Sequence, residues 1–217
     1  MAFALGFPPD RPLRRVLCIG AHCDDIEIGC GGTLLALGER QPAVEIDWLI
    51  LSGSPDRAAE SRAAAAALLA GCARTSVTVA DFPDGLLPTE AAAVKARLAA
   101  VTTAPDLVLT HFRGDAHQDH RLLGELAWQV FRRATIWEYE IPKWDGDLAR
   151  PNLYVPLTAE QRRRKVETLL ASFPSQRDKH WFDAGTFDAL LRLRGVESAS
   201  PSGYAEAFHA AKLVVAP

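Results

Sequence analysis

Four times before residue 135 the chain repeats one pattern: a short apolar run, a polar or glycine-rich turn, and a helix-length segment. The first run, Arg15-Val16-Leu17-Cys18-Ile19-Gly20-Ala21, is nearly continuous in apolar residues. Such runs suit strands buried on both faces of a parallel sheet rather than half-buried antiparallel ones, whose residues alternate. Val44 to Leu51, Ser76 to Ala80 and Asp106 to Thr110 repeat it. Helical segments are expected at Thr33 to Leu37 after a glycine cluster, at Asp56 to Ala70, from a Thr89 cap to about Ala100, and at Asp119 to Arg133. Strand and helix in strict alternation predict a parallel sheet covered on both faces, a Rossmann-like three-layer α/β sandwich.

Past Thr135 the pattern loosens. Ile136 to Ile141 reads as a further strand, and Pro142 to Pro156 as a long loop rich in proline, glycine and aspartate. Leu157 to Ala171 and Phe182 to Leu193 read as helices, and Ala207 to Val215 as a last strand. No repeat or linker divides the chain. Its 217 residues with 48% hydrophobic content suffice for one core, so residues 1–217 are read as one domain, 1–135 forming its Rossmann-like half. Long loops in compact domains are often functional. The nearby aromatics Trp137, Tyr139, Trp144, Tyr154, Trp181 and Phe182 make the 142–156 segment a candidate substrate lid.

Charge narrows the partners. The net charge is −3 and no basic stripe covers a face, which argues against nucleic acid. The densest basic run, Arg162-Arg163-Arg164-Lys165, lies with Glu160 and Glu167 in a helical pattern and reads as a solvated helix face. Cys18, Cys23, Cys30 and Cys72 form no CxxC pair and read as free thiols in a reducing compartment. Met1 to Pro12 carries too short an apolar run for a secretory signal, and no run of about 18 apolar residues suggests a membrane span. A cytoplasmic protein is expected.

Four of the six histidines fall in two polar stretches, His22-Cys23-Asp24-Asp25-Ile26-Glu27 and His111 to His120. Each begins where a predicted parallel strand ends, and ligands of open α/β sheets bind outside those carboxyl ends. The stretches can therefore meet although about 90 positions separate them. A catalytic zinc needs about three ligands from His, Asp, Glu or Cys and one open position. One His and one carboxylate from the first loop plus one His from the second suffice. A double aspartate after a strand also serves as a helix cap. Gly29-Cys30-Gly31-Gly32 invites comparison with a phosphate-binding turn, but GxGxxG spacing fails. The joint occurrence of both stretches favours the metal.

The stretch from His22 to Gly32 resembles the AHPDDxExxxGG signature of the LmbE-like (PIG-L) deacetylases. Asp115-Ala116-His117-Gln118-Asp119-His120-Arg121 resembles that family's second signature, close to DxHxDHR. Weaker likenesses at Phe82-Pro83-Asp84-Gly85 and Tyr204 to Phe208 extend it over nearly the whole chain. The resemblance implies a zinc-dependent enzyme that removes N-acetyl groups from amino sugars or their conjugates. It implies His22, Asp25 and His120 as zinc ligands and Asp24 as the general base. His117 would stabilise the oxyanion or protonate the leaving amine, and Asp119 would orient His117. Arg57 and Asp84 become candidates for substrate hydroxyls, and His111 and Asp115 for supporting roles. A His₂Asp site also accepts Fe(II) or Co(II). A homo-oligomer is expected only by family analogy. Cys23 stands where the family has proline, which opens the site to oxidation, and no role carries over to Gln176. The rivals are a metallo-β-lactamase-like hydrolase, whose HxHxDH pattern fails at Asp115, and a non-catalytic nucleotide- or sugar-binding domain.

Overall fold

A computed structural model of the chain describes Gly6 and residues 12–214. The expectation of no secretory signal in Met1 to Pro12 lies almost wholly outside them, as does Val215 of the last expected strand. Strand β1 (Arg15–His22) leads into helix α1 (Asp25–Arg40), then β2 (Glu45–Ser52), α2 (Pro55–Leu68) and β3 (Arg74–Val79). A 3₁₀ turn at Leu87–Glu90 precedes α3 (Ala91–Ala99), β4 (Leu107–His111), α4 (Gln118–Val130) and β5 (Thr135–Tyr139). The remainder supplies β6 (Leu153–Pro156), α5 (Ala159–Ser172), α6 (Ala184–Glu197) and β7 (Ala205–His209).

All the described strands form one sheet in the order β3-β2-β1-β4-β5-β7-β6. The first five run parallel, and β7 is antiparallel to both β5 and β6. Two apolar cores flank it. One contains Trp48, Ile26, Leu34 and Leu169 and packs α1, α2, α5 and α6; the other contains Leu49, Leu98, Val108 and Leu123 and packs α3 and α4. The three-layer α/β architecture is as expected. From β1 the chain winds outward to β2 on one side and later returns to β4 on the other. The carboxyl ends of β1 and β4 therefore flank the switch point, where doubly wound sheets open a crevice.

Several boundaries differ from the sequence reading. Helix α1 begins at Asp25, not Thr33, and runs straight through the glycine cluster. The glycines permit close packing rather than a phosphate turn. A Cβ on Gly29 would sit 2.2 Å from Tyr139 Cδ2, and one on Gly32 would sit 2.4 Å from Leu157 Cδ1. Residues 25–38 of α1 are buried on every side, so no apolar stripe marks the helix in the sequence. Thr89 lies inside the 3₁₀ turn, donating its hydroxyl to Leu86 O, and does not cap α3. Strand β6 occupies the end of the expected long loop, and β7 ends at His209. Lys165 does not belong to a solvated face: it is buried, with Nζ 2.5 Å from Glu206 Oε1. Arg163 keeps the expected exposed pairs with Glu160 and Glu167. No described helix is long and apolar enough to cross a membrane.

Candidate metal centre

The turn between β1 and α1 is only Cys23 and Asp24, and it sets His22 and Asp25 side by side. Asp24 has φ +123°, a left-handed conformation that costs a non-glycine residue about 1–3 kcal/mol and persists only where its surroundings enforce it. Arg57 enforces it, donating to Cys23 O while its Nη2 stands 3.0 Å from Asp24 Oδ2. Across the switch point, β4 ends at His111, and His117 caps α4 by accepting the Asp119 N–H at Nδ1 (3.3 Å). That capping places His120 in the first helical turn, facing β1.

Three donor atoms converge here. His120 Nε2 lies 3.3 Å from His22 Nδ1 and 3.5 Å from Asp25 Oδ1, and His22 Nδ1 lies 3.4 Å from Asp25 Oδ2. Ligands about 2.0–2.1 Å from a tetrahedral zinc lie about 3.3–3.4 Å from one another, so the spacing fits. The tautomers fit as well. His120 Nδ1 faces Asp115 Oδ2 at 3.1 Å, and His22 Nε2 faces Asp119 Oδ2 and Asp84 Oδ1, each at 3.1 Å. Each carboxylate fixes the proton on the outer nitrogen, turning the lone pair of the inner nitrogen towards Asp25. Three acceptors facing one another call for a cation.

The surrounding carboxylates favour positive charge at this point, which a proton on His22 satisfies when no metal ion is bound. Burial opposes protonation of His22, but Asp119, Asp25 and Asp84 outweigh it and raise its pKa to about 12. Burial also disfavours an Asp25 carboxylate, yet His120 and His111 hold it well below the usual range. Burial raises Asp24 to about 7 in spite of Arg57. Burial and the neighbouring His120 and His22 lower His117.

The remaining sequence candidates fall as follows. The Asp119 carboxylate reaches His22 and accepts the N–H groups of Gly85 (2.8 Å) and Leu87 (3.0 Å). It thus steadies His22 directly, whereas its backbone holds His117. Asp84 stands at the mouth with its side chain 69% exposed. Arg57 is committed to the β1–α1 turn. His111 is buried and stacks on the His120 ring at 3.9 Å, accepting the Ala21 N–H at Nε2 (3.0 Å). Cys23 is buried, directs Sγ towards Ser52 O, and is raised by burial to about 12, so the expected oxidation sensitivity loses its basis. Lys143, which nothing in the sequence singled out, places Nζ 3.0 Å from Asp115 Oδ1. A lone lysine in a loop carries no pattern that a sequence reading can use.

A doubly wound, mostly parallel sheet with a His and carboxylate cluster at its switch point defines an α/β protein with a candidate metal site, and it excludes the metallo-β-lactamase sandwich. Residues 17–131, more than half of the chain, match the PIG-L family, described as GlcNAc-PI de-N-acetylase. The chain belongs to this family of deacetylase enzymes. Among solved structures it is similar to GalB, the 4-carboxy-2-hydroxymuconate hydratase from Pseudomonas putida KT2440 (18% identity, 94% of this chain and 99% of that one, TM-score 0.74). It is also similar to the zinc-inhibited form of the teicoplanin deacetylase Orf2 (16% identity, 88% and 96%, TM-score 0.66). A third is N,N′-diacetylchitobiose deacetylase from Pyrococcus horikoshii (20% identity, 91% and 83%, TM-score 0.64). At these identities the likeness is one of fold.

Proposed function

We propose that the protein is a metal-dependent hydrolase that removes an N-acetyl group from an amino sugar or sugar conjugate. The observation that carries this reading is the convergence of His22 Nδ1, Asp25 and His120 Nε2, lone pairs inward, beside a carboxylate raised to about 7. A divalent cation held there supplies Lewis-acid polarisation of water and of the acyl carbonyl. Asp24 takes a proton from the attacking water: Arg57 engages Oδ2, which leaves Oδ1 for that task. His117 accepts at Nδ1, so its Nε2–H is free to donate a hydrogen bond to the developing oxyanion. The acyl C–N bond breaks, the water oxygen stays with the acetate, and the amine leaves with the proton that Asp24 took from the water, which returns Asp24 to its carboxylate. Asp119 and Asp115 hold the two histidines in register. In this reading Asp84, exposed at the mouth, meets a substrate hydroxyl, and Arg57 supports Asp24 rather than substrate.

Zinc is the first metal to try, with Fe(II) and Co(II) as alternatives. The absence of disulfides among the four cysteines supports a reducing, cytoplasmic setting. The test is metal content together with acetate release from a panel of N-acetylhexosamines. One metal ion per chain with acetate release is expected. A protein that takes up no divalent metal after reconstitution would overturn the reading, and metal uptake without acetate release would retain the site and reject the substrate class.

A further inference from the structure

We infer that Lys143, on the segment between β5 and β6, is a positioning residue for the metal centre and couples that segment to His120. The inference rests on the metal-site reading above. Lys143 belongs to a mostly exposed stretch, with Trp144 71% and Leu148 45% exposed, yet its own side chain is only 6% exposed. A lysine is buried this far only where its charge is matched. Its Nζ lies 3.0 Å from Asp115 Oδ1 and 2.6 Å from Asp147 Oδ2. The other oxygen of Asp115 lies 3.1 Å from His120 Nδ1, and His120 Nε2 is one of the three converging donors.

The chain Lys143–Asp115–His120 is therefore continuous from loop to metal donor. It is clamped from a second direction. Asp147 accepts the Ala116 N–H at 2.7 Å, and Asp115 Oδ1 accepts the His117 N–H at 2.8 Å. The loop thus holds Asp115 and Ala116 directly, and Asp115 in turn holds the His117 N–H. Lys143 keeps the Asp115 carboxylate in one orientation, and Asp115 keeps His120 in the tautomer whose inner nitrogen is a lone pair. Coupling is reciprocal: if the loop contact strengthens metal binding, metal binding must hold the loop closed. The 142–156 segment is in this view a strut braced against the metal loop, not a free lid.

The test uses full-length protein and zinc alone. Zinc affinity is read by competition with a chromophoric chelator. Cleavage after Trp144 by chymotrypsin is followed with and without zinc. Lys143→Met should weaken zinc binding about 10- to 100-fold, the range typical for lost outer partners of a metal ligand. Zinc should slow chymotrypsin cleavage of the parent protein and leave that of Lys143→Met unchanged. Lys143→Arg, which keeps the charge, should recover most of the affinity. Asp147→Asn, which loosens the lysine while sparing Asp115, should give an intermediate loss and serves if Lys143→Met does not fold. Parent-like zinc affinity together with zinc protection in both Lys143→Met and Asp147→Asn would overturn the inference while leaving the metal site standing. A parent protein that binds no zinc would remove the site itself.

Discussion

At the scale of single residues, burial decides what each acid of the first polar stretch can do. Asp24, Asp25 and Glu27 lie within one turn of each other and are all buried. Their protonation nevertheless separates, because Asp25 faces histidines whereas Asp24 and Glu27 lack enough compensating charge. Asp24 must be ionised to accept a proton, and its pKa is held near 7 by burial. Acetate release should therefore rise with pH through about 7 and level off above it, and a flat acid limb in the pH–rate profile would count against Asp24. Asp24→Asn should lower turnover by about 10²- to 10⁴-fold with zinc retained, measured by steady-state rates beside metal analysis. Glu27 makes the opposite kind of prediction, one about stability. Burial raises it from 4.5 to about 8, although Ser61 donates to its Oε1. Between those values the folded state holds a proton that the unfolded state releases. The contribution of Glu27 is thus fully present below about 4.5 and is lost as pH rises towards 8. Glu27→Gln keeps the shape and removes the titration. Its melting temperature relative to the parent should increase steadily from about pH 5 to about pH 8.

At the scale of elements, α1 explains both what the sequence revealed and what it concealed. Parallel strands buried on both faces announce themselves as apolar runs, so β1, β2 and β4 were legible almost to the residue. A helix buried on all sides has no stripe, and three glycines in its middle imitate turn chemistry. Hence the start of α1 was placed eight residues late. Strand β6 escaped because it is a four-residue edge strand inside a proline-rich stretch, where neither alternation nor a long apolar run can develop. The metal donors were legible because they cluster in sequence at the ends of legible strands. The Lys143 contact was not, because it depends on how a long loop folds back. The glycines of α1 give a prediction with a change of sign. A Cβ on Gly31 would meet Leu68 Cδ1 at 3.4 Å, ordinary contact, whereas one on Gly29 would overlap the Tyr139 ring. In a helix interior alanine is favoured over glycine by about 1 kcal/mol. Gly31→Ala should therefore be neutral or stabilising in chemical denaturation. Gly29→Ala should destabilise by about 1–3 kcal/mol, since Tyr139 is buried and anchored through its hydroxyl to Ile19 O.

At the scale of the whole molecule, the question is how the less regular C-terminal part is joined to the parallel half. The sheet is one join, since β7 pairs with β5. A buried charge cluster is the other. Glu206 on β7 accepts the N–H groups of Gly32 (2.8 Å) and Thr33 (2.6 Å) in the middle of α1. Lys165 on α5 pairs with Glu206 at 2.5 Å and donates to Ile28 O at 2.6 Å. Two elements distant in sequence, β7 and α5, thus meet on α1, the helix that begins with Asp25. If this cluster joins residues 12–135 and 136–214 into a single cooperative unit, a single unfolding transition is expected by both fluorescence and circular dichroism, and two separate transitions would refute it. The energetics of the pair give the sharper test. A buried ion pair contributes little relative to apolar residues of the same shape, but removing one partner strands the other charge away from water, at a cost of about 3–5 kcal/mol. Lys165→Met should therefore lower stability by about that amount, because Glu206 keeps only two amide donors. Glu206→Gln in the same background removes the stranded charge, retains an acceptor for one of the two amides, and should recover part of the loss. Equal and additive losses in the two single variants and the double variant would show that the two side chains act independently, and the junction would then rest on the sheet and its apolar cores alone.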